Sequence, residues 1–558
     1  MAEARRSPAT PFVSLASLLL AAAAPLCADT YPRQPGVDVL DYSFRLTLRD
    51  DTDVLEGETT VAFRVASDGL ATLALDLVQP KAESPERGMA VSAVATPAGA
   101  PLRFEHAADR LTVFLDPPGR AGERRSLVVR YSGVPATGLL IASNKHGERT
   151  FFSDNWPVKA RHWLPTIDHP YDKATSEMVV TAPSHYQVVS NGLLVEETDT
   201  GDGRRVSRWR QSVPIATWLN VLGVARFAVD HRPAWRGLPI ETWVYRQDRD
   251  NGFARFAEPT TAVLDFLADR VGPYSYERLG HVQANGVRGG MESATSIFYG
   301  DDSVDDPRST RWRNVIVHEI AHQWFGNAVT ESDWDDVWLS EGFATYFTQL
   351  FVEHVYGRDE ADAMRRASRD TIREFYRKEP EYRVVHDNLS DMSQVLSGPG
   401  TYQKGAWTLH MLRGLIGDAA FWTGIRSYYR DHRNGNASTV DFRRSMEEAS
   451  GQPLSWFFDQ WLTRGGFLTL RARWSYDARA KQLRLDVEQL QPGPPFRVPL
   501  DVAITVEGDE EPRHQRVDVR SARESLTIPL DTVPRTVTLD PYSSVLMDAD
   551  VARAPAGR

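Results

Sequence analysis

The sequence predicts a multidomain α+β protein in three parts: a β-rich N-terminal region, a mainly helical middle and a C-terminal β-sandwich. The first observation is size. The chain has 558 residues, 42% hydrophobic and 25% charged, enough for two to four domains at roughly 100–200 residues each. The second is a hydrophobic period that changes along the chain: two residues from about Asp38 to Pro233, helical from about Leu238 to Thr463, and two again after Gly465-Gly466. The third is that no internal repeat or low-complexity segment follows the first 28 residues, so each part must close its own core. The formal charge is −11, from 64 Lys+Arg against 75 Asp+Glu. With no basic surplus to neutralise a phosphate backbone, the composition argues against a nucleic-acid partner.

Residues 1–28 read as an export signal peptide. Arg5 and Arg6 give a positive start, Phe12 to Ala24 is an apolar run, and Pro25-Leu26-Cys27-Ala28 breaks it. The run is too short for an ordinary membrane span. The expectation is an exported protein, periplasmic or extracellular, with no integral membrane span. Cleavage after Ala28 is one outcome and lipid attachment through Cys27 the other. Cys27 is the sole cysteine, so the mature chain is held by packing without a disulfide. Loss of Glu3, Arg5 and Arg6 leaves that chain at about −12.

Residues 29–235 are expected to form the N-terminal β domain. Phe44, Leu46 and Leu48 alternate with Arg45 and Thr47, and Val61, Phe63 and Val65 with Ala62 and Arg64, while Asp116-Pro117-Pro118-Gly119 reads as a turn between strands. Residues 236–465 carry helical spacing at 253–270, 311–325, 341–355, 361–377, 401–416 and 439–450. Residues 466–558 alternate again at 468–474, 483–487, 498–506, 516–519, 526–530 and 537–539, the pattern of a small sandwich.

The chemistry is concentrated in Val317-His318-Glu319-Ile320-Ala321-His322-Gln323-Trp324. Two histidines at i and i+4 share one helical face, about 5–6 Å apart at Cβ, so both imidazoles reach one metal ion at roughly 2.0–2.1 Å. Glu319 projects beside them and suits a general base. Tetrahedral zinc, one ion, then needs a third protein ligand and an open position. Glu341, in Leu339-Ser340-Glu341-Gly342-Phe343 at the start of the next helix, lies far enough along to fold back and supply it. The paired-histidine pattern arises by accident in roughly 2% of chains this long, and Glu341 at one spacing lowers that to the order of 0.1%. A metal site is therefore the reading, with Val315, Ile316, Ala321, Trp324 and Phe325 as its apolar bed.

These residues resemble the aminopeptidase N family of zinc metallopeptidases, which includes leukotriene hydrolase. The family shows, in order, Gly-x-Met-Glu-Asn, the paired-histidine helix, Trp-Leu-x-Glu-Gly-Phe-Ala and Tyr-Glu-Lys-Gly. Here stand Gly289-Gly290-Met291-Glu292-Ser293, His318 to His322, Trp338-Leu339-Ser340-Glu341-Gly342-Phe343-Ala344 and Tyr402-Gln403-Lys404-Gly405. Ala160-Arg161, Pro165, Asp168, Pro170 and Lys173-Ala174 extend the likeness to roughly Asp41 through Ala549. The resemblance implies an N-terminal β-saddle, a thermolysin-like α/β catalytic domain with zinc and a C-terminal β-sandwich, without the large helical fourth domain of many members. It also implies a zinc-dependent aminopeptidase acting on peptides with a free N-terminus. His318, His322 and Glu341 would be the metal ligands, Glu319 the base and Tyr402 the donor to the oxyanion. Glu292 would pair with the substrate's α-ammonium, and Gly289, Gly290 and Met291 would bind substrate along an edge strand that admits a peptide backbone. Lys404 would support the loop.

Two positions depart from the family. Ser293 stands where relatives have Asn and is expected to loosen the strand behind Glu292 or to alter the pocket for the first side chain. Trp156 stands where relatives place a second ammonium-binding Gln or Glu, which leaves Asp154, Asn155 or the indole face of Trp156 for that role. Two other functions stay open on sequence alone. One is a leukotriene-type epoxide hydrolase; the other is a non-catalytic peptide-binding relative, against which the filled ligand set argues.

Overall fold

The computed structural model describes residues 29–555; the export segment and Cys27 lie outside the described residues. The N-terminal part is built on three sheets. The largest has seven strands in the order 193–199, 204–215, 174–183, 37–47, 55–65, 124–134 and 88–95. Val37–Thr47 pairs antiparallel with Leu55–Val65 and parallel with Ala174–Pro183. Alternation decides its faces: Phe44, Leu46, Val61, Phe63 and Val65 are buried while Arg45 and Arg64 are exposed. Four strands (187–190, 222–225, 149–153, 139–143) and three (70–76, 110–119, 104–107) form the other two sheets.

The expected turn at Asp116-Pro117-Pro118-Gly119 is corrected by the structure. The strand Arg110–Gly119 runs through it. Leu70 pairs with Gly119 and Thr72 with Phe114, so the proline pair is looped out of a ladder that continues, as an edge-side bulge allows.

A hairpin at Arg236-Gly237 joins Phe227–Trp235 to Leu238–Tyr245. These begin a five-stranded sheet that continues through Leu279–Ala284, Ser296–Gly300 and the edge strand Gly290–Met291. The reading of the middle region from its period was mainly helical and passes over this sheet. The reason is physical: Leu279–Ala284 and Ser296–Gly300 are buried at every residue, so they carry no polar alternation.

Eight α-helices follow among the described residues: α1 (Arg249–Arg270), α2 (Thr310–His322), α3 (Trp338–Val355), α4 (Arg358–Lys378), α5 (Gly405–Ile416), α6 (Asp418–His432), α7 (Thr439–Ser450) and α8 (Ser455–Leu462). The sequence names six of them. It omits α6, although Phe421, Ile425 and Tyr428 line its buried face at helical spacing, and α8, which is only eight residues long. The chain closes in two facing sheets, 523–529, 482–489, 468–477 and 547–553 in one, and 513–519, 498–506 and 534–539 in the other. Met547–Arg553, parallel to Leu468–Asp477, is the strand the period does not announce. Among the described residues no helix is long and apolar enough to cross a membrane.

The N-terminal and middle parts are tied through charge buried between them. Lys173 extends its ammonium to the carbonyls of Asn327 (2.8 Å), Gly435 (3.1 Å) and Ala328 (3.2 Å). At the other end of the same contact, the Asp29 carboxylate meets His169 Nε2 at 2.7 Å and accepts the Trp334 amide at 3.0 Å.

Candidate active site

α2 starts at Ser309, whose hydroxyl accepts the Trp312 amide, and buries Trp312, Ile316, Val317, Ile320 and Ala321. Of the expected apolar bed, Ile316, Ala321, Trp324 and Phe325 are buried and Val315 is half-buried. The helix ends at His322, three residues before the expected Phe325. Gly326, at φ +108°, reverses the chain there, and a Cβ on it would collide with the Ser340 hydroxyl and lie 3.1 Å from His322 Nδ1. The early end has a consequence for the imidazole. His322 Nδ1 sits 3.1 Å from the Phe325 carbonyl, an acceptor only, so Nδ1 carries the proton and Nε2 keeps its lone pair.

That lone pair points at a shared locus. His322 Nε2 lies 3.0 Å from His318 Nε2, and Glu341 Oε2 is 3.2 Å from each. Donors bonded to one tetrahedral zinc at roughly 2.0–2.2 Å would be about 3.3–3.6 Å apart. Three donor atoms turned onto one point at these spacings are what a cation between them satisfies. The set fits zinc.

Glu341 reaches this point because α3 packs on the end of α2, where the Phe325 ring lies tilted against both Phe343 and Phe347, each at 4.8 Å. Tyr402 lies in a π-helical turn, Gly398–Lys404, that precedes α5, rather than in the α-helix expected from residue 401. Such a turn re-aims a side chain by one position. Its hydroxyl donates to Glu341 Oε1 at 2.7 Å, and its ring lies parallel to His318 at 6.0 Å.

The edge strand brings the remaining residues. Gly290, Met291 and Glu292 line one cavity of about 420 Å³ with His318, Glu319, His322, Glu341 and Tyr402, and Asp154, Trp156, Val287, Arg288 and Leu396 complete much of its wall. Gly290 lies against Glu319: a Cβ there would overlap its carboxyl group. Gly289 stands outside the lining, at φ +82° in the turn that enters the strand. The backbone at Glu292 is held from α2's end, where Gln323 and Asn327 donate to its carbonyl at 2.9 and 2.6 Å and Gln323 accepts the Thr295 amide at 3.1 Å. The strand expected to be loose at the buried Ser293 is therefore tied from outside it. Gln323 follows the second histidine directly, yet spacing alone gives no sign that its amide clamps another strand. Of the three candidates beside Trp156, Asn155 is turned into the core, bonded to Asn220 and Trp163. Asp154 and Trp156 face the cavity, the indole packed edge-on to Trp218 and Trp334 at 4.7 and 4.9 Å.

The electrostatics follow from burial. Burial pushes Glu292 up to about 7 against the pull of His322, and lifts Glu319 well above the usual carboxylate range. Burial also acts on Glu341, but His322 and the hydrogen bonds of both histidines outweigh it and hold that carboxyl low. Burial and the neighbouring Glu341 raise the Tyr402 phenol, keeping it a donor at neutral pH. Glu292 Oε1 and Glu319 Oε2 are buried without a hydrogen-bond partner, two acceptors left facing the cavity's contents.

A helix bearing two histidines and a carboxylate, a second helix returning a third donor and an edge strand beside them define a metallopeptidase-type site. Residues 39–219 match the peptidase M1 N-terminal domain and residues 256–461 the peptidase family M1 domain. The chain belongs to peptidase family M1. It is similar to glutamyl aminopeptidase of Rattus norvegicus, 30% identical over 396 residues, 67% of this chain and 41% of that protein. The chain thus spans about two fifths of the length of the glutamyl aminopeptidases it matches. Among solved structures, a mutant of the M1 zinc metallopeptidase of Deinococcus radiodurans superposes with TM-score 0.64 at 26% identity, over 77% of this chain and 95% of that one. Aminopeptidase A of Legionella pneumophila, in complex with aspartic acid, gives TM-score 0.78 at 17% identity over 93% and 60%, a likeness of fold.

Proposed function

We propose that this chain is a zinc-dependent aminopeptidase that releases N-terminal residues from peptides. One observation carries the reading: a three-donor metal set shares its cavity with Glu292, a buried carboxylate with an unfilled acceptor oxygen. Such a group is costly unless a cation meets it, and a peptide's α-ammonium is a cation the substrate itself brings. An internal peptide bond offers no such charge. The relatives named as glutamyl aminopeptidases support this reading.

Zinc held by His318, His322 and Glu341 would polarise the scissile carbonyl and acidify a water. The chain's own groups move the protons and hold the peptide. Glu319 takes the proton of the attacking water and delivers it to the leaving amine. Tyr402 turns its hydroxyl from Glu341 to the oxygen that gains charge on the carbonyl. Glu292 fixes the amino end, and the strand at Gly289, Gly290 and Met291 takes the peptide backbone. In this reading residues 1–28 direct export to the periplasm or beyond, with Cys27 as the alternative lipid anchor, and the middle part takes in the strand from Phe227, ahead of the boundary expected at 235, and ends at about 465.

The test is hydrolysis of aminoacyl arylamides by the purified mature protein. Cleavage should stop with a zinc chelator, return with zinc and fail on substrates acetylated at the amine. Equal cleavage of acetylated substrates, or cleavage indifferent to the chelator, would overturn the proposal.

A further inference from the structure

We infer that Arg288 is a specificity residue that binds a carboxylate on the leaving side of the scissile bond. The inference rests on the aminopeptidase reading and names the substrates it favours: dipeptides with a free terminal carboxylate, or longer peptides with an acidic second residue.

Arg288 is exposed and lines the cavity. The wall otherwise carries the carboxylates of Asp154, Glu292, Glu319 and Glu341, and Arg288 is its one permanent cation among the described residues. The arginine before it, Arg278, is ion-paired to Glu241. Arg288 has no such partner among the described residues, so its guanidinium is available to a ligand. Its backbone is nonetheless fixed. Gly289 accepts the Gly300 amide at 2.9 Å, and the Val287 carbonyl rests on Gly300, where a Cβ would lie 2.6 Å from it. A free side chain on a pinned backbone is a built arm rather than a loose loop.

The strand gives the direction. Glu319 lies over Gly290, so the bond attacked lies near Gly290. Glu292, which would hold the α-amine, is two residues to one side of Gly290. Arg288 is two residues to the other. With Glu292 just past one end of the short strand Gly290–Met291 and Arg288 across the turn at its other end, a peptide anchored at Glu292 and cut at Gly290 carries its leaving part toward Arg288. That part's carboxylate meets no other permanently cationic side chain on this wall. A guanidinium answers it with a charge-assisted, two-pronged hydrogen bond.

The experiment compares the wild type with Arg288→Gln on two matched pairs: Ala-Ala against Ala-Ala-amide, and Ala-Asp-amide against Ala-Asn-amide. The readout is the ratio of kcat/KM within each pair. In the wild type the carboxylate member is favoured about five- to tenfold in at least one pair, and Arg288→Gln brings that ratio close to one, mainly through KM. Collapse of the first ratio alone assigns the terminal carboxylate, and of the second alone the acidic side chain. Ratios that Arg288→Gln leaves untouched, or an equal loss on all four substrates, would overturn the inference. Calorimetric titration of the same four peptides into zinc-loaded Glu319→Ala protein, with and without Arg288→Gln, reads the preference as affinity. If binding preference follows Arg288 while the wild type cleaves none of the four, the aminopeptidase reading has failed and the carboxylate site stands.

Discussion

Gly342 in α3 and Gly405 at the start of α5 meet backbone to backbone: a Cβ built on either would lie 3.0 Å from the other's Cα. The crossing places Glu341, one residue before Gly342, within hydrogen-bond reach of Tyr402, three residues before Gly405, at 2.7 Å. Two signatures far apart in the chain are thus one structural device, and each contains a glycine because the other helix passes there.

Gly405→Ala should therefore force α3 and α5 apart. The expected cost is about 1–3 kcal/mol of stability, the range for overpacking a closed contact, seen as a lower Tm. Activity should fall further than stability accounts for, since Tyr402 shifts relative to the metal donors. Unchanged Tm and turnover would show that the crossing has slack.

Gly290→Ala is expected to displace the Glu319 carboxylate on which Gly290 rests. The three atoms nearest an added Cβ all belong to Glu319 and none to a metal donor, so zinc measured by elemental analysis should remain at one per chain. The value of kcat should fall about 10²-fold or more, as expected for a general base moved out of reach. Loss of zinc together with activity would place the damage in the donor set instead.

Removing the carboxylates separately should split their roles. Glu319→Gln should keep zinc and lose about 10²–10⁴-fold in kcat. Glu292→Gln should lose mostly on substrates with a free amine. If it lost equally on acetylated substrates, Glu292 would be a support for the strand and not the anchor of the amine.

The pairing of His318 and His322 was legible because helix geometry places residues four apart on one face, a rule that holds before any tertiary contact forms, whereas Glu341 entered through the family's Trp-Leu-x-Glu-Gly-Phe-Ala motif. The edge character of the Gly290 strand followed from residues without side chains. What stayed hidden depends on partners distant in sequence. The fully buried strands of the central sheet present apolar runs with no period. The end of α2 at His322 is set by Gly326 and by Ser340 packed over it. The clamp on Glu292 comes from Gln323 and Asn327, amides whose targets no spacing rule names.

Lys404 makes a final prediction, on pH. It is fully buried, with its ammonium near the Tyr376 hydroxyl (3.0 Å) and the Gly466 carbonyl (3.2 Å). Burial, aided by Arg464, pushes its pKa down to about 7 from 10.5. Between those two values the unfolded chain carries the proton and the folded chain does not. The unfolded state therefore binds more protons, and this group's contribution to stability rises with pH through that window. It is lost as pH falls to 7, and below 7 both states are protonated and the contribution is flat. Urea unfolding at pH 7 and at pH 9.5 should show the wild type gaining stability with a slope of up to about 1.4 kcal/mol per pH unit from this one proton. Lys404→Met removes the proton and should lose that share of the gain, so the wild type's advantage over the variant widens toward alkaline pH. An identical pH dependence in the two proteins would mean that Lys404 is charged in the fold, its hydrogen-bond acceptors outweighing its burial.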